Sequence, residues 1–423
     1  MAPTPQSIQR TYLTLLLFNT LAASLVWGIN TIFLLDAGLS NFEAFAANAF
    51  FTAGMMLFEV PTGVIADLRG RRVSYLLGTI TLALATLLYL LMWQTAAPFW
   101  SWAVVSVFLG LGFTFFSGAV EAWLVDALTA SGFKGKLESV FAKGEIVEGS
   151  AMLVGSTAGG VIAQYSNLGV PYIIRAVILL LTFILAFKLM KDIGFTPTKG
   201  KNMAHEVKVI AQNSLTFGLK NPSVRWLMLM TPFVMGALAY AFYAMQPYLL
   251  ELWGDPNAYG IAGLAAAIIA GAQIAGGLLV PHIGRIFKRH TTVLIIGVFL
   301  SGISLAISGL VLNFWVVVAM LVIWGMVFSA TMPVRQAYFN SLIPSKQRAT
   351  VLSFDSLLGS AGGVVSQPLL GKAADMWGYA HSYLIVAAFQ LLALPFALLA
   401  RRQSDKTADV IIENPITIET PSK

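Results

Sequence analysis

Cysteine is absent from this 423-residue sequence, and histidine occurs only four times. Without cysteine the chain forms no disulfide bonds and offers no thiolate for catalysis or metal binding. The histidines, at positions 205, 282, 290 and 381, are too scattered to predict a metal cluster or a general base beside a nucleophile. No glycine-rich phosphate-binding motif is recognisable either. The sequence therefore argues against an enzyme, a bound cofactor and an ATP-driven pump.

Charged residues are also scarce. They make up 11% of the chain, against roughly 25% in an ordinary soluble domain, whereas apolar residues reach 57%. The apolar residues fall in runs of about 20, and a helix of that length crosses a hydrocarbon core of about 30 Å. We therefore predict an all-α membrane protein with twelve transmembrane helices. Their expected positions are 12–35, 45–66, 73–93, 99–126, 140–165, 170–190, 224–252, 259–284, 291–311, 313–341, 348–376 and 379–400.

The net charge of +7 forms no continuous basic stripe, which argues against nucleic acid as a partner. Lys and Arg occur in alternate loops, and they are missing from the loops near 36–44, 94–98, 166–169, 253–258 and 377–382. Because basic loops stay cytoplasmic, we predict that both termini are cytoplasmic. Two basic residues depart from the pattern. We expect Arg175 to extend toward the membrane surface and Lys372 to pair with Asp375.

The longest polar break divides the apolar runs six and six. We predict an N-terminal six-helix half at 1–191, a cytoplasmic linker at 192–222, a C-terminal six-helix half at 223–402 and a disordered cytoplasmic tail at 403–423. Within the linker, the pattern from Met203 to Leu219 predicts a helix on the membrane surface. Gly-Ser pairs at 149–150 and 359–360 indicate that the two bundles are pseudo-symmetric repeats.

The most specific motif lies in the predicted turn between the second and third helices. Gly63 permits close helix approach, Gly70 permits a tight turn, and Asp67 either pairs with the adjacent guanidinium groups or faces a helix N-terminus. The motif residues are Gly63, Asp67, Gly70, Arg71 and Arg72. Their spacing and position resemble the signature of the major facilitator superfamily, and the two-half layout extends the resemblance over nearly the whole chain.

This resemblance implies alternating access, in which two halves rock about a central site while the Asp67 turn helps to close the inner gate. It also implies a monomeric small-molecule transporter in a bacterial inner membrane. Two motifs of drug/proton antiporters are incomplete. Ser106 stands where proton-coupled members carry arginine, and the segment from Gly155 to Gly160 lacks the antiporter proline. Its glycines alone predict close packing between helices.

Ionisable residues inside membrane spans cost at least ~2.5–3.5 kcal/mol each, so they are candidates for function. Glu59 and Glu121 are the best predicted proton carriers, although the inner carboxylates could equally form structural pairs that lock the gate. Because Arg335 and Asp355 share a depth in neighbouring spans, we also predict a salt bridge between them, acting as a conformational lock, in coupling or in binding an anionic group. The predicted network comprises Glu59, Glu121, Asp126, Glu145, Glu148, Arg335 and Asp355.

Polar and aromatic residues at helical spacing predict a substrate cavity. In the first helix they form a stripe that would be unfavourable against lipid. The seventh helix offers an aromatic wall for an apolar substrate, although its tyrosines would also suit the membrane interface. The predicted lining residues are Asn19, Ser24, Trp27, Asn30, Tyr240, Tyr243, Gln246 and Gln273.

A secondary transporter is the function that these observations predict. We favour proton-coupled export of amphipathic or drug-like compounds, because the predicted cavity is apolar and aromatic with few fixed charges. Proton-coupled uptake of a small metabolite would use similar residues and is the alternative. A receptor or scaffold would need a substantial soluble domain, and a channel would not need duplicated halves, so both are disfavoured.

Overall fold

The computed structural model describes residues 4–116, 118–197, 218–344, 347–403 and 409–411. Within these ranges the chain folds into fifteen helices, and the predicted all-α fold is confirmed. The first half contains α1 (Pro5–Trp27), α2 (Asn30–Asp36), α3 (Asn41–Arg69), α4 (Arg71–Thr95), α5 (Phe99–Thr114), α6 (Ala119–Ala130), α7 (Leu137–Tyr165) and α8 (Gly169–Leu189). The second half contains α9 (Pro222–Trp253), α10 (Tyr259–Leu278), α11 (Val280–Ile286), α12 (His290–Leu310), α13 (Phe314–Ser341), α14 (Arg348–Leu391) and α15 (Ala393–Gln403).

Local sequence sets the points at which the helices turn. Ser40 and Glu43 form a capping box, in which each side chain accepts a hydrogen bond from the backbone N–H of the other, and α3 begins there. The Asn313 side chain accepts hydrogen bonds from the first turn of α13. Gly70 joins α3 to α4 with a φ of 104°, a conformation that favours glycine. These residues therefore fix where three of the helices start.

Ten helical segments of the described chain are long and apolar enough to cross a membrane, and the pair α1 and α2 adds an eleventh. That pair is bent by 49° between Trp27 and Asn30. One of the ten, Thr350–Gln403, has 54 residues, whereas about 20 suffice to cross a bilayer. Gly378, with a φ of 79°, interrupts it. The chain is therefore a multi-pass membrane protein.

Short connections make successive spans antiparallel, so their ends gather on two sides. The gate-motif side is the side on which α3 ends and α4 begins, and the far side is the side on which α3 begins. The halves meet where α3 packs along α14 and α7 packs along α10. The Gln246 amide accepts from the N–H of Thr31 at 2.8 Å and donates to the carbonyl of Trp27 at 2.7 Å. The Asp375 carboxylate accepts from the N–H groups of Asn41 and Phe42, both at 2.9 Å. These contacts join the halves on the far side.

Glycines allow the closest helix approaches, as the sequence predicts for the segment from Gly155 to Gly160. A Cβ added to Gly160 would lie 2.9 Å from the Cα of Gly263, across the junction of α7 and α10. The expectation for Gly63 is wrong, because nothing lies within 4 Å of where its Cβ would be. Gly54 takes that role on α3, since its Cβ would meet the carbonyl oxygen of Val107 at 2.6 Å.

Part of the predicted disordered tail is folded against the second half. The Asp409 carboxylate accepts hydrogen bonds from the backbone N–H of Thr291 at 2.9 Å and from its hydroxyl at 2.7 Å. A carboxylate at this position satisfies the otherwise unpaired N–H groups of the first turn of α12. The prediction of disorder is therefore wrong for residues 409–411. The predicted surface helix from Met203 to Leu219 lies outside the described residues except for its last two positions.

Candidate functional site in the central cavity

A cavity of about 430 Å³ lies between the two halves and takes its walls from both. Aromatic and apolar side chains form most of the wall, and a few polar groups are set among them, a composition typical of small-molecule sites. The aromatic residues are Trp27, Phe51, Tyr89, Phe113, Phe242 and Tyr243, and the other polar or charged residues are Asn30, Asn48, Arg175 and Gln273. Trp27 and Asn30 flank the bend between α1 and α2, so the broken helix shapes the cavity.

A hydrogen-bonded network fixes the polar part of this wall. The Asn30 amide donates to Asn48 Oδ1 at 3.0 Å, and its own Oδ1 accepts from the Tyr172 hydroxyl at 3.1 Å. The hydroxyl groups of Tyr89 and Ser106 are 2.6 Å apart. Because these groups hold one another in place, the polar wall is preorganised rather than dependent on a ligand for its geometry.

Arg175 contributes a positive charge to this cavity. It is the seventh residue of α8, about 9 Å along the helix axis from the far-side end. Its side chain is only 6% exposed, and the Nε–H finds no hydrogen-bond partner. The guanidinium interacts electrostatically with the hydroxyl groups of Tyr89, Tyr172 and Tyr243. Among the described residues, no carboxylate lies within salt-bridge distance of it.

The prediction that Arg175 extends to the membrane surface is therefore wrong. Arg175 lies one helical turn after Tyr172, so the two side chains share a face of α8. Tyr172 is buried and stacks on Phe33, with ring centroids 4.0 Å apart. Because this face of α8 packs inward, the guanidinium is directed into the bundle.

The structure places four of the eight predicted lining residues in the cavity wall, namely Trp27, Asn30, Tyr243 and Gln273. Three others lie in helix contacts instead. The Ser24 hydroxyl donates to the Ala151 carbonyl at 3.1 Å, the Tyr240 hydroxyl donates to Ser382 Oγ at 2.6 Å, and Gln246 closes the far side. Asn19, the eighth, is half-buried and stands outside the described wall. Helical spacing placed Ser24, Tyr240 and Gln246 on polar faces, but in each case a neighbouring helix packs against that face.

The gate motif forms three separate contacts. Asp67 pairs with Arg71 at 2.7 Å, one turn along the chain. Asp192 accepts from the backbone N–H of Arg72 at 2.9 Å and so caps the start of α4. The Arg72 guanidinium donates to the Phe187 carbonyl at 2.6 Å. Of the two roles considered for Asp67, the structure thus has the ion pair, and Asp192, assigned to the linker by sequence, faces the helix N-terminus.

The carboxylates of α6 and α7 gather near one tyrosine on the gate-motif side. The hydroxyl of Tyr12 interacts electrostatically with Glu121, Glu145 and Glu148. Glu121 and Glu145 are exposed, whereas Glu148 is half-buried. Because the three carboxylates share one neighbourhood, protonating one of them changes the field at the others.

The remaining carboxylates of the predicted N-terminal network are Glu59 and Asp126. Glu59 on α3 is exposed at the protein surface, and Asp126 on α6 is half-buried. Glu59 and Glu121, the best predicted proton carriers, are therefore not enclosed in an apolar site in this conformation. No neighbouring helix of the described chain covers either carboxylate on the gate-motif side. Burial of these groups depends on packing between helices, which the sequence does not reveal.

Arg335 and Asp355 form the predicted salt bridge inside the second half. Arg335 Nη1 donates to Asp355 Oδ2 at 2.8 Å and Nη2 donates to Oδ1 at 2.7 Å, a bidentate pair. Thr231 donates to the same carboxylate at 2.7 Å, and the Leu227 carbonyl accepts from Arg335 at 3.0 Å. Arg335 and Asp355 are 5% and 6% exposed. The pair is thus fully desolvated and well satisfied.

A larger cavity, of about 820 Å³, lies nearer the periphery on the far side, among α3, α5 and α14. Lys372 and Asp375 line it together with Trp100, whose side chain is 69% exposed. The exposed indole indicates that this cavity faces the surroundings of the protein rather than its interior. The smaller cavity, enclosed by the middles of the helices of both halves, is therefore the better candidate for the transport site.

Sequence reasoning missed Tyr89, Asn48 and Tyr172, because polar residues on two or three helices reveal their convergence only after the helices pack. Arg175 could have been found, since a lone basic residue in a span that otherwise obeys the charge rule is unusual. A charge near a helix end is ambiguous by sequence, because the same residue can reach water or turn inward.

Comparison with known proteins points to one class. Residues 12–290 and 257–415 match the family model of the Major Facilitator Superfamily. Multidrug resistance protein MdtG of Salmonella typhimurium is 25% identical over 335 residues, which cover 78% of each chain. MdtG of Salmonella choleraesuis is 25% identical over 337 residues with the same coverage.

Solved structures share the fold. The nucleoside transporter NupG superposes with a TM-score of 0.73 at 12% identity, covering 93% of this chain and 98% of that one. A POT family transporter in complex with a thioalcohol conjugated peptide gives 0.69 at 13% identity, covering 94% and 96%. At such identities the likeness concerns architecture alone.

Proposed function

The chain belongs to the major facilitator superfamily and is a membrane transporter of small molecules, and we propose that it exports amphipathic, drug-like compounds by alternating access. The observation that carries this proposal is the central cavity, about 430 Å³ in volume, aromatic in character and walled by both halves. Relatives named multidrug resistance proteins support the direction and the breadth of substrate. An aromatic cavity of this size accepts compounds of varied shape, because stacking and apolar burial are tolerant of detail.

The proposed topology has twelve spans and both termini in the cytoplasm of a bacterial cell. Gly378 divides the 54-residue segment into two spans of ordinary length, and α1 with α2 forms the first. Lys and Arg of the alternate loops are on the gate-motif side, which the positive-inside rule assigns to the cytoplasm. The gate-motif side is then the inner side and the far side is the outer side of the inner membrane.

Alternating access is supported by the asymmetry of the contacts between the halves. Gln246, Asp375 and the Gly160–Gly263 approach join the halves on the far side, whereas Glu121 and Glu145 on the gate-motif side are exposed. We assign this conformation to a state that is closed outward and receives substrate from the cytoplasm. Opening the far side then requires that these contacts separate while the Asp67 turn closes the inner side.

Proton coupling is proposed for the carboxylate cluster on the gate-motif side, with the chain working as a monomer. Glu121, Glu145 and Glu148 share one neighbourhood with Tyr12. When the inner side closes, these carboxylates leave water, and a carboxylate that loses hydration binds a proton more readily. Proton release would then follow reopening to the cytoplasm, which links each cycle to the pH gradient.

The test is proton flux in vesicles that contain the purified chain, an internal pH-sensitive dye and an acidic interior. We expect added amphipathic compounds to make the interior more alkaline, because each compound enters in exchange for a proton. Acidification of the interior by a polar metabolite would show symport and replace export with uptake. An unchanged dye signal with radiolabelled substrate still accumulating would remove proton coupling and leave transport standing.

Glu121→Gln is expected to abolish substrate-driven proton flux, because the amide cannot carry the proton. The matched control is Glu138→Gln, which removes an exposed carboxylate in the first turn of α7 on the same side. Comparable purification yield and thermal stability of both variants would exclude misfolding. Full gradient-driven flux in Glu121→Gln would eliminate Glu121 as the proton carrier.

A further inference from the structure

The charge inside the central cavity restricts which compounds it binds. Arg175 is the one acidic or basic side chain among the described residues that line this cavity. Its guanidinium stays protonated over the whole physiological pH range. The cavity therefore carries a fixed positive charge at every stage at which this wall faces the ligand.

Within the described part of the chain, that charge has no counter-charge. No carboxylate of the described residues is within salt-bridge distance of Arg175, and its Nε–H is buried without an acceptor. The neighbouring Tyr89, Tyr172 and Tyr243 offer hydroxyl dipoles but no net charge. The contrast with Arg335 is direct, since that buried guanidinium has a carboxylate, a hydroxyl and a carbonyl. A buried, unpaired charge inside a span is costly unless a ligand compensates it.

The size of the cavity makes this charge unavoidable for any ligand. A volume of 430 Å³ corresponds to a cube of about 8 Å on a side, which is no longer than the screening length of about 8–10 Å in salt solution. Every group of a bound molecule thus lies within the field of the guanidinium. A cation would be repelled, and the described wall contains no carboxylate to attract it.

We propose that the transported compounds are amphipathic anions, whose carboxylate, sulfonate or phosphoryl group pairs with Arg175 while their apolar part stacks against Trp27, Phe51, Phe113 and Phe242. This assignment rests on the proposed transport function and names its substrate class. The planar guanidinium fork suits an anionic group with two oxygens, which it binds through parallel hydrogen bonds. Arg175 is then the residue that determines specificity.

The test measures equilibrium binding by calorimetry to the purified full chain, with three ligands of one shape. They are naphthalene-2-carboxylate, its neutral carboxamide and naphthalen-2-ylmethylammonium. We expect the carboxylate to bind at least about thirtyfold more tightly than the carboxamide, the factor equivalent to about 2 kcal/mol, and the ammonium to bind most weakly.

Arg175→Gln is expected to reduce carboxylate affinity to that of the carboxamide and to leave carboxamide affinity within about threefold. Arg175→Lys should keep part of the anion preference, because it retains the charge and loses the fork. Lys188→Gln is the matched control, since it removes an exposed positive charge from the same helix. It should leave all three affinities unchanged.

A purely structural role for Arg175 predicts a different result, in which Arg175→Gln weakens the carboxylate and the carboxamide equally. That result would overturn the proposal. If Arg175→Gln fails to fold, the three ligands are compared on the wild-type protein alone. The proposal is also overturned if the wild type does not bind the carboxylate, or binds it no better than the carboxamide or the ammonium. Equilibrium binding depends neither on the direction of transport nor on proton coupling. A failed export assay together with a clear anion preference would therefore refute the proposed function and leave the assigned ligand class standing.

Discussion

The buried pair of Arg335 and Asp355 gives the sharpest prediction about stability. Both side chains are about 95% inaccessible to solvent. Replacing one of them therefore leaves the other as a buried charge without its partner. Asp355→Leu would deprive the guanidinium of both bidentate hydrogen bonds, at 2.8 and 2.7 Å. Arg335→Met would leave the carboxylate with only the Thr231 hydroxyl at 2.7 Å.

The expected magnitude follows from these contacts. Breaking a buried pair by removing one partner costs about 3–5 kcal/mol, whereas replacing both by apolar side chains of similar volume is often nearly neutral. Each single variant should therefore lose about 3–5 kcal/mol of unfolding free energy, and the double variant Arg335→Met with Asp355→Leu should lose much less. Because the singles together lose at least about 6 kcal/mol and the double variant is nearly neutral, the coupling energy of the double-mutant cycle is expected to be at least about 5 kcal/mol.

The assay is reversible unfolding in mixed micelles, followed by circular dichroism. Asp67→Asn is the matched control, because the Asp67–Arg71 pair is about one-fifth exposed and joins the end of α3 to the start of α4 across the Gly70 turn. Removing such a pair should change the unfolding free energy by less than about 1 kcal/mol. Single variants that each lose under about 1 kcal/mol, or a double variant that loses the sum of the singles, would refute the reasoning.

The double variant also separates locking from coupling, two of the roles that the sequence left open for this pair. A stable double variant that still drives transport with a pH gradient would make the pair a structural lock. A stable double variant that binds substrate and has lost gradient-driven transport would place the pair in coupling. The stability measurement is needed first, because only a folded variant makes the transport result meaningful.

Two further predictions concern the gates. Asp67→Asn should lower the rate of transport by more than it lowers substrate affinity, since Asp67 lies outside the cavity and pairs with Arg71; equal losses of rate and affinity would argue against a gate role. Gly160→Val should hold the far side open, because a Cβ there would lie 2.5 Å from a backbone oxygen of α10. The chain has no native cysteine, so labelling of Asn48→Cys by an impermeant maleimide from the far side should increase in this variant. It should not increase with Gly271→Val, whose Cβ would meet only a side chain at 4.0 Å, and an increase with both would point to general loosening.

Much of the architecture was accessible from sequence. Runs of about 20 apolar residues identify spans because a bilayer accepts only helices that satisfy their own backbone hydrogen bonds. The Asp67 motif, in the predicted turn between the second and third helices, identified the superfamily, and the family model confirms this identification. The glycines from Gly155 to Gly160 predicted close packing, and the shared depth of Arg335 and Asp355 predicted their salt bridge, because both inferences depend only on helical geometry.

The composition of the cavity was less accessible. Tyr240 and Tyr243 are neighbours in one helix with the same side-chain chemistry, yet Tyr240 bonds to Ser382 in the core and Tyr243 lines the cavity. Ser24 has the spacing of a lining residue, but α7 approaches so closely that its hydroxyl bonds to a backbone carbonyl there. Spacing selects a face of a helix, and it carries no information about which neighbour covers that face.

The sequence alone determined that this chain is a helical, multi-pass membrane protein, because hydropathy is a property of each segment taken separately. The tertiary structure alone decided which side chains meet. Asp192 caps the first turn of α4 although it lies 120 residues away in the sequence. Arg175, which the sequence predicted at the membrane surface, lines the central cavity. The physical reason is that the cost and the use of a buried charge depend on its partners, and partners are set by packing between helices distant in sequence.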